Sequence, residues 1–292
     1  MCRPFSFVVT KKKLFWLENN DSHEDIISEY NLFHLDRKRQ LARVEFLPPI
    51  GENYPKYLSP LRKWNLLLDN FSLRGSSSSP KWYDEEKVRR DILSVMPGIL
   101  KQRIVRPNQK VSFLKKKNFV AVYGRVIYAE DCKMVLYKKG KVVSSRYCDI
   151  RLCDNSHAEE ILFSSVYTND KCSLKAESSQ VVLSGADRVE ALRCSVFYEK
   201  GFIGSLRLEE SALTTSFLHL ESEERTISKV SAKGSVIHIY FPCRIETIEL
   251  SQSLLIVDES FHVEKIVLKD DQSFVVGNPS ITKNLPVLRL GT

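Results

Sequence analysis

Small and apolar residues recur every eight positions through the middle of this chain, and that beat restricts the fold more than any other feature. Counting by eights from Gly124 gives Cys132, Gly140, Cys148, Ser156, Ser164 and Cys172. The same count from Val126 gives Met134, Val142, Ile150, Ala158, Val166, Leu174 and Val182. A repeat held in phase without insertion for about eight units marks a solenoid built by stacking. From Phe119 onward polar and apolar residues alternate with period two, and glycine, aspartate and asparagine recur where turns are needed, so the stacked units are strands. If one octad is one side of a flattened coil, two make a turn of about sixteen residues, and successive turns stack about 4.8 Å apart. Cys132 then lies below Cys148, with Gly124, Gly140, Ser156 and Cys172 in the column opposite. Small residues in these columns let two sheets approach while the aliphatic column fills the interior.

The rest of the chain divides around that array. Residues 1–100 mix strand and helix signals and read as an α+β head. Phe5 to Thr10 and Lys13 to Leu17 suggest a hairpin. Ser22 is placed to cap a helix carrying Ile26, Ile27 and Tyr30, with Asp25 three residues on as in a capping box. Ala42 to Leu47, stopped by Pro48 and Pro49, and Trp64 to Leu68 are strand candidates. Asp84 caps a second helix, with Val88, Ile92, Val95 and Met96 on one face, which Pro97 and Gly98 are expected to close. Residues 101–118 read as a basic linker, 119–200 as the octad solenoid, and 201–292 as an irregular β continuation or cap ending in an extended tail. The expected fold is therefore mainly β: a small α+β N-terminal domain followed by a parallel, two-sided β-solenoid.

Composition narrows the function classes. At 292 residues and 43% hydrophobic content the chain has enough apolar surface for two cores. Its longest apolar runs fall far short of the roughly 20 residues of a membrane span. The start, MCRPFSFVVTKKK, has too short an apolar patch for a signal peptide, so a soluble, cytoplasmic protein is expected, in the host cytoplasm if the chain is phage-encoded. Seven cysteines without a Cys-x-x-Cys pair indicate neither disulfide framework nor zinc site, and those on octad positions read as small packing residues. No metal and no cofactor is expected: the histidines are dispersed, and no phosphate-cradling glycine loop is present.

Few residues carry a chemical signature. Removal of Met1 would leave Cys2 with a free α-amine, the arrangement of N-terminal-nucleophile hydrolases, with His23 and Asp21 to orient or deprotonate the thiol and Glu45 as a carboxylate partner. Without the glycine-rich surroundings of an amidotransferase start, the favoured reading is a buried strand cysteine and a histidine near a helix N-cap. Lys101, Arg103, Arg106, Lys110, Lys115, Lys116 and Lys117 form a run with no acidic residue among them. Such a run is more often a solvated connector than a nucleic-acid site, although another polyanion would also suit it. Arg151, His157 and Lys175 are expected to point outward from the solenoid, where a partner would meet them.

The first hundred residues resemble an uncharacterised group of bacteriophage and bacterial proteins. The likeness rests on Met1, Cys2 and Pro4, then Trp16, Asp21 to His23, Val44 to Pro49 and Trp82 to Asp84, followed by a degenerate form of a polar octad array. The resemblance implies a phage or mobile-element origin and brings no activity and no catalytic residue with it. The leading expectation is a non-catalytic interaction or scaffold protein whose solenoid meets a host or phage protein, with self-association also open. The alternatives are a thiol hydrolase or transferase working from the head, and nucleic-acid binding through residues 101–117.

Overall fold

The computed structural model describes residues 5–18, 22–38, 40–51, 55–69, 80–169, 171–215, 225–240, 243–258 and 262–290. The chain divides into two compact units, Met1–Ile104 with Lys117–Ala121, and Val105–Lys116 with Val122–Thr292. No helix among the described residues is long and apolar enough to cross a membrane.

The first unit is built on a four-stranded antiparallel sheet. Its strands are β1 (Ser6–Thr10), β2 (Leu14–Phe15), β3 (Leu41–Leu47) and β4 (Asn65–Leu68), in the order β2-β1-β3-β4. Among the described residues three α-helices accompany it: α1 (His23–Glu29), α2 (Phe33–Arg37) and α3 (Glu85–Arg103). Ser22 caps α1 by accepting from the Asp25 amide, and Asp84 caps α3 by accepting from the Lys87 amide, as expected from their side chains. Val8, Ile26, Ile27, Leu32 and Leu41 close one apolar cluster. A second cluster is aromatic: Phe5 and Phe46 pack on Trp64 with ring centroids 5.4 and 5.5 Å away, and Tyr57 meets Phe119 at 5.3 Å.

Pro97 and Gly98 do not close α3, which runs on to Arg103. The missing proline donor costs one helical hydrogen bond. Beyond it, Ile99 is buried, and the guanidinium of Arg103 donates from Nε and Nη2 to the carbonyls of Leu17 and Glu18 at 2.8 to 3.0 Å, so burial on both sides of the proline carries the helix through. The segment 101–118 is accordingly not a linker. Lys101 and Arg103 belong to the last turn of α3, and Ile104–Val105 and Lys110–Lys115 are strands.

The second unit is a parallel β-solenoid of about ten turns with roughly 17 residues per turn. Its strands form two sheets of eleven. Sheet I begins with Lys110–Lys115, Arg125–Glu130, Lys141–Arg146, His157–Leu162 and Ser173–Glu177. It continues through Ala186–Leu192, Gly201–Glu209, Arg225–Lys233, Arg244–Ser251 and His262–Leu268 to Val287–Arg289. Sheet II includes Lys133–Leu136, Asp149–Cys153, Ser165–Asn169, Gln180–Ser184 and Ser195–Tyr198, then Ala212–Thr215, Val236–Ile239, Leu254–Val257 and Phe274–Gly277. The C-terminal region therefore extends both sheets. Its expected extended tail instead contains a helical turn at Pro279–Thr282 and a last strand paired with the sheet.

Register explains where the octad beat holds and where it fails. Arg125, Lys141, His157 and Ser173 are direct neighbours in successive coils, sixteen residues apart. The octad members Val126, Met134, Val142, Ile150, Ala158, Val166 and Leu174 are all buried. Between Ala158 and Ile161 the pairing slips at a bulge, and Glu160 takes a left-handed conformation with φ of 46°. The next coil is one residue shorter, so the buried position is Val181, and Val182, on the octad count, turns outward.

Candidate interaction surface

The sharp corner leading from sheet I to sheet II determines how the solenoid displays its side chains. It consists of one residue in the left-handed region followed by one small buried residue. Asp131, Tyr147, Phe163, Ser178, Arg193, Glu210, Gly234 and Gln252 hold the first place, with φ between 47° and 58°. Cys132, Cys148, Ser164, Ser179, Cys194, Ser211, Ser235 and Ser253 hold the second, all buried. The left-handed residue donates its amide to the next coil: Asp131 to the Arg146 carbonyl at 3.1 Å, Tyr147 to Leu162 at 3.2 Å, and so on to Gly234 and Ser251 at 3.0 Å. The serines form a ladder inside the corner. Ser211 Oγ donates to the Glu209 carbonyl at 2.7 Å and accepts from the Cys194 amide at 3.0 Å; Ser235 and Ser253 repeat both contacts in the following coils. A thiol or hydroxyl is small enough for the corner and still satisfies its backbone.

Asp270 ends the series. Its carboxylate accepts from the Gln252 amide, from Ser251 Oγ at 2.7 Å and from Ser273 Oγ at 2.8 Å, doing for the corner at Gln252 what the next coil's carbonyl does at the others. The hydrogen bond from Ser251, followed by that from Ser273, holds its carboxyl below the usual aspartate value.

The two sheets differ on their outward faces. On sheet II the outward residues in one register column run Tyr167, Val182, Phe197, Thr214, His238, Ile256 and Val276. The neighbouring column ends in Ala212, Val236, Leu254 and Phe274. Tyr167, Val236, Phe274 and Val276 are exposed, and His238 is tied to Asp258 at 2.6 Å. On sheet I the corresponding residues are charged and cross-linked between coils. Glu249 bridges Lys229 at 2.6 Å and Lys269 at 2.8 Å, and hydrogen bonds from Lys229 and then Lys269 lower its pKa.

The residues singled out from sequence are scattered over the two units. Arg151 and Lys175 are exposed on sheets II and I respectively. His157 is half-buried and engaged, its Nδ1 against Ser173 Oγ at 2.6 Å and its Nε2 against Glu159 at 3.0 Å; Glu159 also takes Lys141 at 2.7 Å, the larger cause of its lowered pKa. Of the basic run, Lys101, Arg103 and Lys117 fall in the first unit and Arg106, Lys110, Lys115 and Lys116 in the second. Arg103 is buried and structural, while Lys115 pairs with Glu130 at 2.9 Å. In the first unit Cys2 and Asp21 lie outside the described residues. His23 is buried at the start of α1, with Nε2 3.1 Å from the Val44 carbonyl and Nδ1 3.3 Å from the Asp69 carboxylate. A ring that faces an acceptor at each nitrogen is already committed, and taking a proton from a thiol would require it to release one of them. Glu45 sits half-buried on β3, opposite Ser6. Nearby, Arg43 bridges Glu24 at 2.7 Å and Asp36 at 3.1 Å.

Sequence reasoning did not single out the apolar columns of sheet II or the ladder beyond Ser164. The signal was present as a serine or cysteine following each strand of sheet I from Arg125–Glu130 to Arg244–Ser251, but its spacing changes from sixteen to fifteen and then to as many as 24 residues, which no fixed count follows. No protein-family model matches the chain, nor does any curated protein or solved structure.

Proposed function

We propose that the protein is a non-catalytic interaction scaffold that holds a partner protein against the outer face of sheet II. The observation that carries this reading is the pair of outward columns on that face. From Ser165 to Val276 they contain no lysine, arginine, aspartate or glutamate, although the outer face of the opposite sheet is densely charged. Apolar side chains aligned across a rigid sheet gain from being covered, and depletion of charge at the centre of a patch is the compositional mark of a protein interface. The commitment of His23 at both ring nitrogens supports a structural role for the head. The N-terminal resemblance favours a phage or mobile-element setting, in which the partner is a host or phage protein.

Site-specific photo-crosslinking tests the proposal. A crosslinking residue placed at Phe197 or Ile256 of the full chain is expected to trap a second protein, and one placed at Lys175 or Arg188 on sheet I is not. Crosslinks arising only from the head or from sheet I would overturn it, as would a product made solely of this chain. Rapid, selective alkylation of Cys2 near neutral pH would instead favour the thiol enzyme.

A further inference from the structure

The solenoid is electrically polarised along its stack. In its first coils, residues 105–116 and 122–151, there are eleven lysines and arginines against three acidic residues, whereas residues 152–292 carry fourteen against twenty. Several of the first cations are stacked in register. Lys110 lies opposite Arg125, and both are exposed. Like charges placed directly opposite one another on a sheet are destabilising, yet neither has a carboxylate partner among the described residues. The turn feeding the next coil adds Lys138 and Lys139, both exposed, both in the left-handed region and likewise without a carboxylate.

Farther along the same two strands, past the inward-facing Val111 and Val126, lie outward aromatic rings. Phe113, three residues along the strand from Lys110, pairs in register with Tyr128, three along from Arg125. The rings stack with centroids 5.6 Å apart and planes 3° from parallel, and Phe113 is 51% exposed. At the corner two coils on, Tyr147 and Phe163 repeat the arrangement at 5.7 Å, with the Arg146 guanidinium over the Phe163 ring. Stacked rings lying beside unpaired cations are what a single-stranded nucleic acid requires: a platform for bases and a track for phosphates. A duplex keeps its bases stacked inside and would use only the charge.

We propose that the first coils of the solenoid bind single-stranded nucleic acid, with a base on Phe113 and the backbone along Lys110, Arg125, Lys138 and Lys139. The site is separate from the apolar columns of sheet II, so either proposal stands or falls without the other.

Fluorescence anisotropy of the full chain with labelled oligo(dT) and oligo(U) of about twenty nucleotides tests it. Binding is expected at low salt, and engagement of four phosphates predicts a loss of roughly 50-fold between 50 and 200 mM salt. Phe113→Ala is expected to weaken binding about tenfold, with Phe113→Trp restoring it, since stacking tolerates any aromatic ring. Arg125→Glu combined with Lys139→Glu should flatten the salt dependence. These positions are exposed, and unchanged thermal melting of the variants will show that they fold. No anisotropy change at 50 mM salt would overturn the proposal. So would equal affinity for a duplex or for heparin together with indifference to Phe113→Ala, which would leave a patch that senses charge alone. A preference between the two oligomers identifies DNA or RNA as the natural strand.

Discussion

Ser145 shows how a single residue departs from the pattern around it. It occupies an inward position of sheet I between Ala129 and Ile161, fully buried, and its Oγ has no hydrogen-bond partner among the described residues. Burying an unsatisfied hydroxyl costs about 1–3 kcal/mol. Ser145→Ala is therefore expected to stabilise the protein by about 1 kcal/mol, measured as a higher denaturant midpoint; a lower midpoint would mean that the hydroxyl is satisfied after all. Asp270 gives a pH signature of opposite origin. Because its folded pKa lies below the ordinary value of 3.8, the folded state holds fewer protons than the unfolded state in the acid range. Its contribution is complete above that value and is lost as pH falls through the depressed one. Asp270→Asn should melt at a lower temperature than the parent at pH 6, with the difference shrinking below pH 4. A constant difference down to pH 2 would show that the carboxylate's charge plays no part. Thiol chemistry separates the same way: burial pushes Cys243 up to about 12 and raises Cys194, consistent with cysteines that pack rather than react.

At the scale of elements, the sequence is legible wherever one residue settles one geometry. Ser22 and Asp84 cap their helices as their side chains dictate, and the seven buried members of the apolar octad face inward. It is less legible where several weak terms compete. Pro97 and Gly98 are a sound stop signal for an isolated helix, but Ile99 and Arg103 lie beyond them and gain more from burial than the proline loses. The basic run illustrates the same limit, because residues that read as one connector are shared between a helix end and strands that face different surroundings. Two candidates for chemistry, Cys2 and Asp21, lie outside the described residues, and a third, His23, derives its role from Asp69, 46 positions away, a contact no local motif encodes. The helix also yields a test. A Cβ on Gly98 would meet nothing within 4 Å, so Gly98→Ala should stabilise α3 by roughly 0.5–1 kcal/mol. The same change at Gly140, where a Cβ would fall 2.2 Å from the Val122 carbonyl, should instead be strongly destabilising, and thermal melts of the two variants give the contrast.

For the molecule as a whole, stacking makes stability local. Each coil of the solenoid rests on its neighbours, so opening is expected to start where a strand has one neighbour only, as Phe274–Gly277 and Val287–Arg289 do. Native-state hydrogen exchange should find the slowest amides in the central coils, with protection declining toward residues 274–289. Uniform protection would indicate that the stack unfolds as a single cooperative block.

The left-handed corner has a consequence for how such a chain changes over time. An aspartate, a tyrosine, a phenylalanine, a serine, an arginine, two further acidic or amide residues and a glycine all occupy the same place, because the conformation is held by the residue's own amide, bonded to the next coil's carbonyl or, at Gln252, to Asp270, and the side chain leaves the fold at once. That edge works as a row of interchangeable pegs set at a fixed pitch of about 4.8 Å. A lineage can rewrite the message on the pegs, from aromatic to charged and back, without renegotiating the architecture that carries them.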